Sequence, residues 1–176
     1  MAENQNKNKI TLTKPYQPII MSFETKRIKD TLERHYGGET WHGPSLKEVL
    51  EGVTAQQATK RIVPASKNIA EYVQHLTNWR VFALEKLTGS ENYDIILNSE
   101  ADWITINSLE DAQWQEMLDA LEDSQNELLD IFDTYTDRKL ENIVPGRRYS
   151  VYKLMHGIIQ HDIYHSAQMM MLKKLA

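Results

Sequence analysis

Four long segments of the chain repeat apolar residues at intervals of three and four, the spacing that places side chains on one face of an α-helix. The pattern predicts helices over roughly 21–36, 66–87, 108–135 and 149–176. No segment between them alternates apolar and polar residues in the manner of a half-buried strand. We therefore expect an all-α protein built as a four-helix bundle.

The connections between these segments carry start and stop signals. The first helix is expected to end at the glycine pair 37–38. Two capping boxes follow, Ser45 with Glu48 and Thr54 with Gln57, and each predicts a short helix in the first connection. The stretch 90–107, before the third long helix, has no periodicity and is interpreted as an irregular linker.

The inward face of the last predicted helix changes its chemistry halfway along. Its stripe reads Val151, Leu154, Ile158, His161, His165, Gln168 and Leu172. Polar residues thus take the middle positions, where a bundle core normally places leucine or isoleucine. Because burying an unpartnered polar group costs roughly 1–3 kcal/mol, something in the core should satisfy them. His161 and His165 lie one turn apart, about 6 Å along the helix axis, so their imidazoles can converge on one metal ion.

The second predicted helix supplies a third histidine. His75 shares a stripe with Tyr72, Trp79 and Phe82 and takes a position where a packed residue is expected. Three neutral imidazoles would leave at least one coordination position open for water or substrate, as catalytic zinc sites do. Imidazole suits Zn, Ni, Fe and Cu, so these ligands alone do not choose the metal. The competing interpretation is a set of core histidines that donate hydrogen bonds to carbonyl groups.

Other histidines and one acidic residue are weaker candidates. His156 falls about 140° around the helix from His161 and should face elsewhere. His35 and His42 are more simply explained as a satisfied and an exposed histidine. Asp162 lies off the inward stripe, which favours a surface carboxylate, or one that supports a ligand, over a ligand itself.

No residue is identified as a general base. Gln168 and Tyr72 are the polar side chains nearest to the histidines on the same helix stripes, and they are the weak candidates for a catalytic group. For Tyr72, Trp79 and Phe82, core packing is favoured over a role as a substrate platform. The HExxH motif of zinc peptidases and the GxSxG motif of serine hydrolases are both missing.

Composition narrows the compartment and the partners. The chain has 176 residues, a formal net charge of −5 and no cysteine. The negative charge counts against nucleic acid as a partner, and no apolar run reaches the length of a membrane span. Without a secretory signal pattern, we expect a cytoplasmic protein with a disordered tail over 1–18 and one domain over 19–176. The lack of cysteine removes disulfides, thiolate metal ligands and a cysteine nucleophile.

Three stretches resemble the DinB-like superfamily. Residues 156–168, HGIIQHDIYHSAQ, are similar to its last-helix signature, and residues 68–79, NIAEYVQHLTNW, are similar to its second-helix histidine motif. Residues 36–50 are similar to its first connection. The resemblance covers roughly 21–175.

This resemblance implies a four-helix bundle, often a homodimer, in which three histidines hold a divalent metal such as zinc or nickel. Matched motif to motif, the ligands are His75, His161 and His165. Members of the superfamily include low-molecular-weight-thiol S-transferases and a thiol-dependent isomerase, and many others are described as metal-dependent hydrolases. Residues 66–69 depart from the run that opens the second helix in many relatives, which leaves the substrate open.

Three functions are therefore compatible with the sequence. The first is a metal-dependent enzyme that acts on a small molecule, either a hydrolase or a low-molecular-weight-thiol S-transferase. The second is a non-catalytic metal- or small-molecule-binding bundle, and the third is a structural bundle whose histidines are only hydrogen-bonded. A deep polar pocket above the histidines would favour the enzyme, and a metal occluded by packed side chains would favour the binder.

Overall fold

The computed structural model describes residues 23–64 and 66–176, and this part of the chain is helical with no strand. Four long helices confirm the predicted all-α bundle: α1 (Phe23–Gly37), α4 (Ile69–Leu87), α5 (Asp111–Asp133) and α7 (Val151–Leu175). Three short helices complete it: α2 (Leu46–Leu50), α3 (Ala55–Thr59) and α6 (Asp137–Leu140). The predicted tail over 1–18 and the predicted helix start at Met21 lie outside the described residues.

The four long helices form a bundle in which α1 and α4 each pack against both α5 and α7. The two short helices of the first connection brace this arrangement, α2 against α1 and α7, and α3 against α4 and α5. The short helix α6, which the apolar pattern did not predict, contacts α1 and α7. None of the helices in the described ranges combines the length and apolar character needed to cross a membrane.

Helix starts follow local capping chemistry. Ser45 and Thr54 cap α2 and α3, each within the predicted capping box. The helix α4 begins three residues later than expected, because Asn68 is its N-cap and accepts a hydrogen bond from the Glu71 amide. The Glu71 carboxylate accepts hydrogen bonds from the Asn68 backbone N–H and from the Arg61 guanidinium. This buried carboxylate thereby ties the loop before α4 to the helix.

The core contains two apolar clusters with polar residues between them along the helices. In α4, Val73 and Leu76 belong to one cluster and Phe82 to the other. Buried polar residues lie between these clusters in sequence, among them Arg80 in α4 and Asp162 and Ser166 in α7. Buried polar residues were predicted for the middle of α7, and α4 has them in its middle as well.

A buried ion pair joins α4 to α7 and corrects the expectation for Asp162. Arg80 and Asp162 are each only 1% exposed, and Arg80 Nη2 donates to Asp162 Oδ2 at 2.5 Å. Arg80 Nη1 also donates to Gln125 Oε1 at 2.9 Å, and the Gln125 amide donates to the Leu32 carbonyl oxygen. Asp162 is thus a core residue with an arginine partner. The expectation of a surface position was wrong because α7 is buried on more than one face.

His35 is buried in α1, and neither ring nitrogen has a hydrogen-bond partner among the described residues. Burial lowers the pKa of this imidazole to about 4, and the nearby positive charge of Arg80 adds to the effect. The folded state therefore holds His35 neutral. The expectation of a hydrogen-bonded histidine was wrong, because the ring is buried without a partner among the described residues, and His35 does not belong to the group of potential metal ligands.

This depressed pKa predicts an acid-sensitive stability. Between pH 6.5 and 4 the unfolded chain binds a proton at His35 that the folded chain does not, so stability should fall as the pH falls through this window. From pH 7 to 4.5 the contribution of this residue is about 2 kcal/mol. Urea unfolding of metal-free wild type and His35→Leu at both pH values measures it. The variant should lose less stability on acidification; parallel losses would contradict the assignment.

Candidate metal centre

Three histidine side chains meet between α4 and α7. His75 comes from α4, and His161 and His165 come from successive turns of α7. The Nε2 atom of His161 lies 2.9 Å from Nε2 of His75 and 3.1 Å from Nε2 of His165. In the described part of the chain, these are the three residues whose ligand atoms lie close enough together, within 4.8 Å, to hold one ion. Nitrogen ligands about 2.0–2.1 Å from a tetrahedral ion would be separated by roughly 3.3 Å, so the observed spacing fits.

The outer nitrogens of two rings have hydrogen-bond acceptors that set their tautomers. His75 Nδ1 lies 2.8 Å from the Asp102 carbonyl oxygen, and His165 Nδ1 lies 2.5 Å from Gln168 Oε1. Both acceptors require the proton to be on Nδ1, which leaves the lone pair on Nε2. Metal-binding histidines are oriented in this way in proteins generally. The buried Nδ1 of His161 has no such partner among the described residues.

These tautomers create a hydrogen-bonding deficit that a cation would remove. The Nε2 atoms of His75 and His165 both present lone pairs, and His161 Nε2 carries at most one hydrogen to share between them. At least one buried lone pair therefore faces another acceptor. A divalent ion bound by all three nitrogens would satisfy every one of them, so the residues fit a metal.

The electrostatics favour the ligand form of the imidazoles. Burial lowers the pKa of His75 and of His165. It lowers the pKa of His161 to about 3, with the neighbouring rings of His165 and His75 adding to the effect. All three rings are therefore neutral at neutral pH, and neutral imidazole is the form that binds a metal.

Asp102 supports the centre and was not identified from the sequence. Its Oδ1 accepts a hydrogen bond from Trp79 Nε1 at 2.9 Å and lies 3.1 Å from His75 Nδ1. Its Oδ2 accepts from the Asn98 amide at 2.7 Å. Next to it, Trp103 stacks on the His75 ring with centroids 3.7 Å apart. The linker that contains both residues has no periodicity, so the sequence pattern did not indicate either of them. The one available signal was general: a metal-binding histidine usually donates its second ring N–H to a carboxylate or carbonyl oxygen.

A cavity of about 620 Å³ opens onto the three histidines. Most of its other walls are apolar, and they include Trp79, Phe82, Leu97, Leu154 and Ile158. Phe82 is buried in a core cluster and Trp79 packs against it, so the predicted core packing holds, yet both rings also line the cavity. A cavity is therefore open to the three histidines, but its lining is mainly apolar, so the deep polar pocket that would favour an enzyme is not found at this position.

The remaining candidates lie outside this group. Tyr72 packs against the His165 and Trp103 rings with centroids 5.2 and 5.4 Å away, and neither it nor Gln168 lines the cavity. Gln168 instead contacts the far side of the His165 ring. His156 lies near Glu24, with 4.0 Å between Nε2 and Oε1, and does not join the three-histidine group.

The contact between Gln168 and His165 predicts a measurable effect on metal affinity. Gln168→Met removes the acceptor for Nδ1–H, and such losses typically weaken metal binding about 10–100-fold. Gln168→Glu keeps an acceptor oxygen and should bind metal at least as tightly as wild type. Competition with a chromophoric chelator measures both variants. Equal affinity of the methionine variant and wild type would show that Gln168 does not orient the ring.

The fold and the site define a helical-bundle protein with three histidines that could hold a divalent metal. Residues 40–169, about three quarters of the chain, match the family model of the DinB superfamily. The chain therefore belongs to the DinB superfamily, which confirms the resemblance found in the sequence. All three histidines lie within the matched range. We found no match among curated proteins and none among solved structures.

Proposed function

We propose that this protein is a metal-dependent enzyme for a small molecule, and that it transfers a low-molecular-weight thiol to an electrophilic substrate. The ligands in this proposal are His75, His161 and His165, and the ion is zinc or nickel. Metal-dependent hydrolysis at the same site is the second candidate. The observation that carries the proposal is the convergence of three Nε2 atoms, of which those of His75 and His165 present lone pairs, at a cavity of about 620 Å³.

The cavity supports an enzyme over a closed structural site. Three protein ligands leave at least one coordination position for a substrate or water, as catalytic zinc sites do. When bound, a divalent ion supplies Lewis acidity, which favours the anionic form of a thiol or of water near neutral pH. The apolar walls contributed by Trp79, Phe82 and Ile158 exclude water and strengthen electrostatic interactions at the histidine end.

The polar groups of the cavity favour thiol transfer over base-assisted hydrolysis. Among the described residues that line it, Asp102 alone carries a carboxylate. Both of its oxygens already accept hydrogen bonds, from Trp79 and from Asn98. Asp102 is thus already engaged, and no other described residue that lines the cavity has a carboxylate to remove a proton from water. A thiol needs less help, since its pKa of about 8.5 is far below that of water.

The reaction proposed is a substitution at carbon. The S–H bond of the thiol breaks and its proton passes to solvent. The sulfur electron pair forms a C–S bond with the electrophile, and the leaving group departs with the electrons of the bond that breaks. Because the chain has no cysteine, the sulfur comes from the cosubstrate. The neutral imidazoles of His75 and His165, held by Asp102 and Gln168, keep the ligand geometry while this occurs.

Elemental analysis followed by activity assays tests the proposal. Protein purified without an affinity tag or chelator should contain about one transition-metal ion per chain. Zinc- and nickel-loaded protein is then assayed with glutathione or cysteine and 1-chloro-2,4-dinitrobenzene, and separately with p-nitrophenyl acetate. C–S bond formation supports the transferase, and ester cleavage alone supports the hydrolase.

Two other outcomes oppose the enzyme. Bound metal with no turnover supports a non-catalytic binding bundle. Failure to bind metal even after reconstitution supports the structural bundle. The homodimer, the cytoplasmic location and the lack of a nucleic-acid partner stay predictions.

A further inference from the structure

We infer that the substrate has an elongated apolar body that lies over Gly157, with a metal-binding head group at the three histidines. This inference rests on the proposed function, because it assigns a substrate class to the same site. The inference also makes Gly157 the residue that determines which apolar substrate groups fit in the cavity. Its basis is the shape of the cavity along α7 and the unusual position of this glycine.

The cavity follows one stripe of α7 for three turns. Lys153, Gly157, His161 and His165 all line it, at intervals of four residues. With a rise of 1.5 Å per residue, Lys153 and His161 are separated by about 12 Å along the helix axis. Gly157 lies midway between them. A bound molecule that extends from the histidines toward Lys153 must therefore pass over this glycine.

The walls along this path are suited to hydrocarbon. Phe82 of α4 and Leu154 and Ile158 of α7 line the cavity together with Leu97 of the linker. Leu97 is 69% exposed and so leaves apolar surface open at the cavity. An apolar ligand would cover this surface, which gives the exposed leucine a partner. A highly hydroxylated body would lose hydrogen bonds with water here and find few replacements.

Gly157 has no local structural reason to be glycine. It lies in the interior of α7, where glycine costs roughly 1 kcal/mol relative to alanine. Its backbone is not in the left-handed region, and a Cβ atom built on it meets no atom within 4 Å. Gly38 offers a contrast, because a Cβ atom there would lie 2.9 Å from Arg34 Cα. A side chain at position 157 would therefore extend into the open cavity.

A series of alkyl hydroxamates of increasing length tests the inference. The protein is loaded with Co²⁺, whose visible absorption reports both metal binding and hydroxamate binding. From acetohydroxamate to octanohydroxamate, affinity for wild type should rise roughly three- to fourfold per methylene that enters the cavity. A flat dependence on chain length would overturn the apolar substrate class.

Variants at position 157 test the role of the glycine. Gly157→Leu should bind octanohydroxamate at least about tenfold more weakly than wild type, since its side chain fills the space of several methylenes. Acetohydroxamate affinity and Co²⁺ binding should be unchanged. Gly157→Ala should have a smaller effect, and Gln160→Leu, an exposed position on α7 that does not line the cavity, should have none. Unchanged octanohydroxamate affinity in Gly157→Leu would overturn the assignment.

A metal-free measurement separates this inference from the proposed function. 8-Anilinonaphthalene-1-sulfonate, an apolar ring compound, should bind the metal-free wild type with enhanced fluorescence and should bind Gly157→Leu more weakly. If Co²⁺ does not bind, the proposed function fails, but this result still decides whether the cavity accepts an apolar body over Gly157. Equal dye binding by both proteins would count against the inference.

Discussion

Replacing His161 and His165 together by alanine is expected to abolish metal binding and the activity that depends on it. The double variant retains His75 as its single imidazole of the group. Loss of an outer partner alone weakens metal affinity by about 10–100-fold, so the loss of two inner ligands should exceed a hundredfold. Elemental analysis after dialysis against buffer with equimolar zinc measures the change.

The matched control is His156→Ala, a histidine on the same helix that does not belong to the group. This variant should retain the metal content of wild type and should show that histidine loss from α7 is not itself responsible. Far-ultraviolet circular dichroism checks that both variants keep the helical fold. A double variant that is folded and still holds a full equivalent of zinc would refute the metal assignment of His161 and His165.

Arg80→Ala is expected to destabilise the protein by roughly 3–5 kcal/mol, because it leaves a buried charge without its partner. Asp162 Oδ2 would lose its donor, and Gln125 Oε1 would lose the hydrogen bond from Arg80 Nη1. The arginine is also stacked near the Tyr36 ring, 5.1 Å from its centroid. Urea unfolding at neutral pH measures the difference, which is a large part of the 5–15 kcal/mol typical of a domain.

The double variant Arg80→Leu/Asp162→Leu separates loss of a partner from loss of the pair. Apolar residues at both positions remove the two charges together, and such replacements are often neutral or stabilising. We expect this variant to be much more stable than Arg80→Ala. If the two are equally unstable, then packing around Arg80, and not the unpaired carboxylate, accounts for the effect. The pair joins α4 to α7 close to His75 and His161, so metal content should be recorded for each protein.

Local patterns were enough to predict the helices. The 3.6-residue period identified the four long segments, and the capping boxes at Ser45 and Thr54 located two short helices. Helix starts shifted by a few residues, as at α4, where Asn68 proved to be the cap. The four-residue helix α6 was missed because one turn is too short to show a period.

The sequence by itself also determined which residues to consider at the site. Residues on one stripe of a helix face the same side. The polar positions on the inward stripes of α4 and α7 therefore indicated His75, His161 and His165. The same reasoning failed for Asp162. It assumed one buried stripe, whereas α7 contacts α1, α2, α4 and α6 and is buried over a broader surface.

Only the tertiary structure decided how the pieces meet. The distance of 2.9 Å between His75 Nε2 and His161 Nε2 joins residues 86 positions apart, and it depends on how two helices are rotated and spaced. Asp102, Trp103 and Leu97 reach the centre from a linker without periodicity. The cavity over Gly157 is enclosed by side chains from α4, α7 and the linker before α5. Periodicity is a property of single segments, so it specifies faces but not the contacts, and still less the cavities, that form when those faces pack.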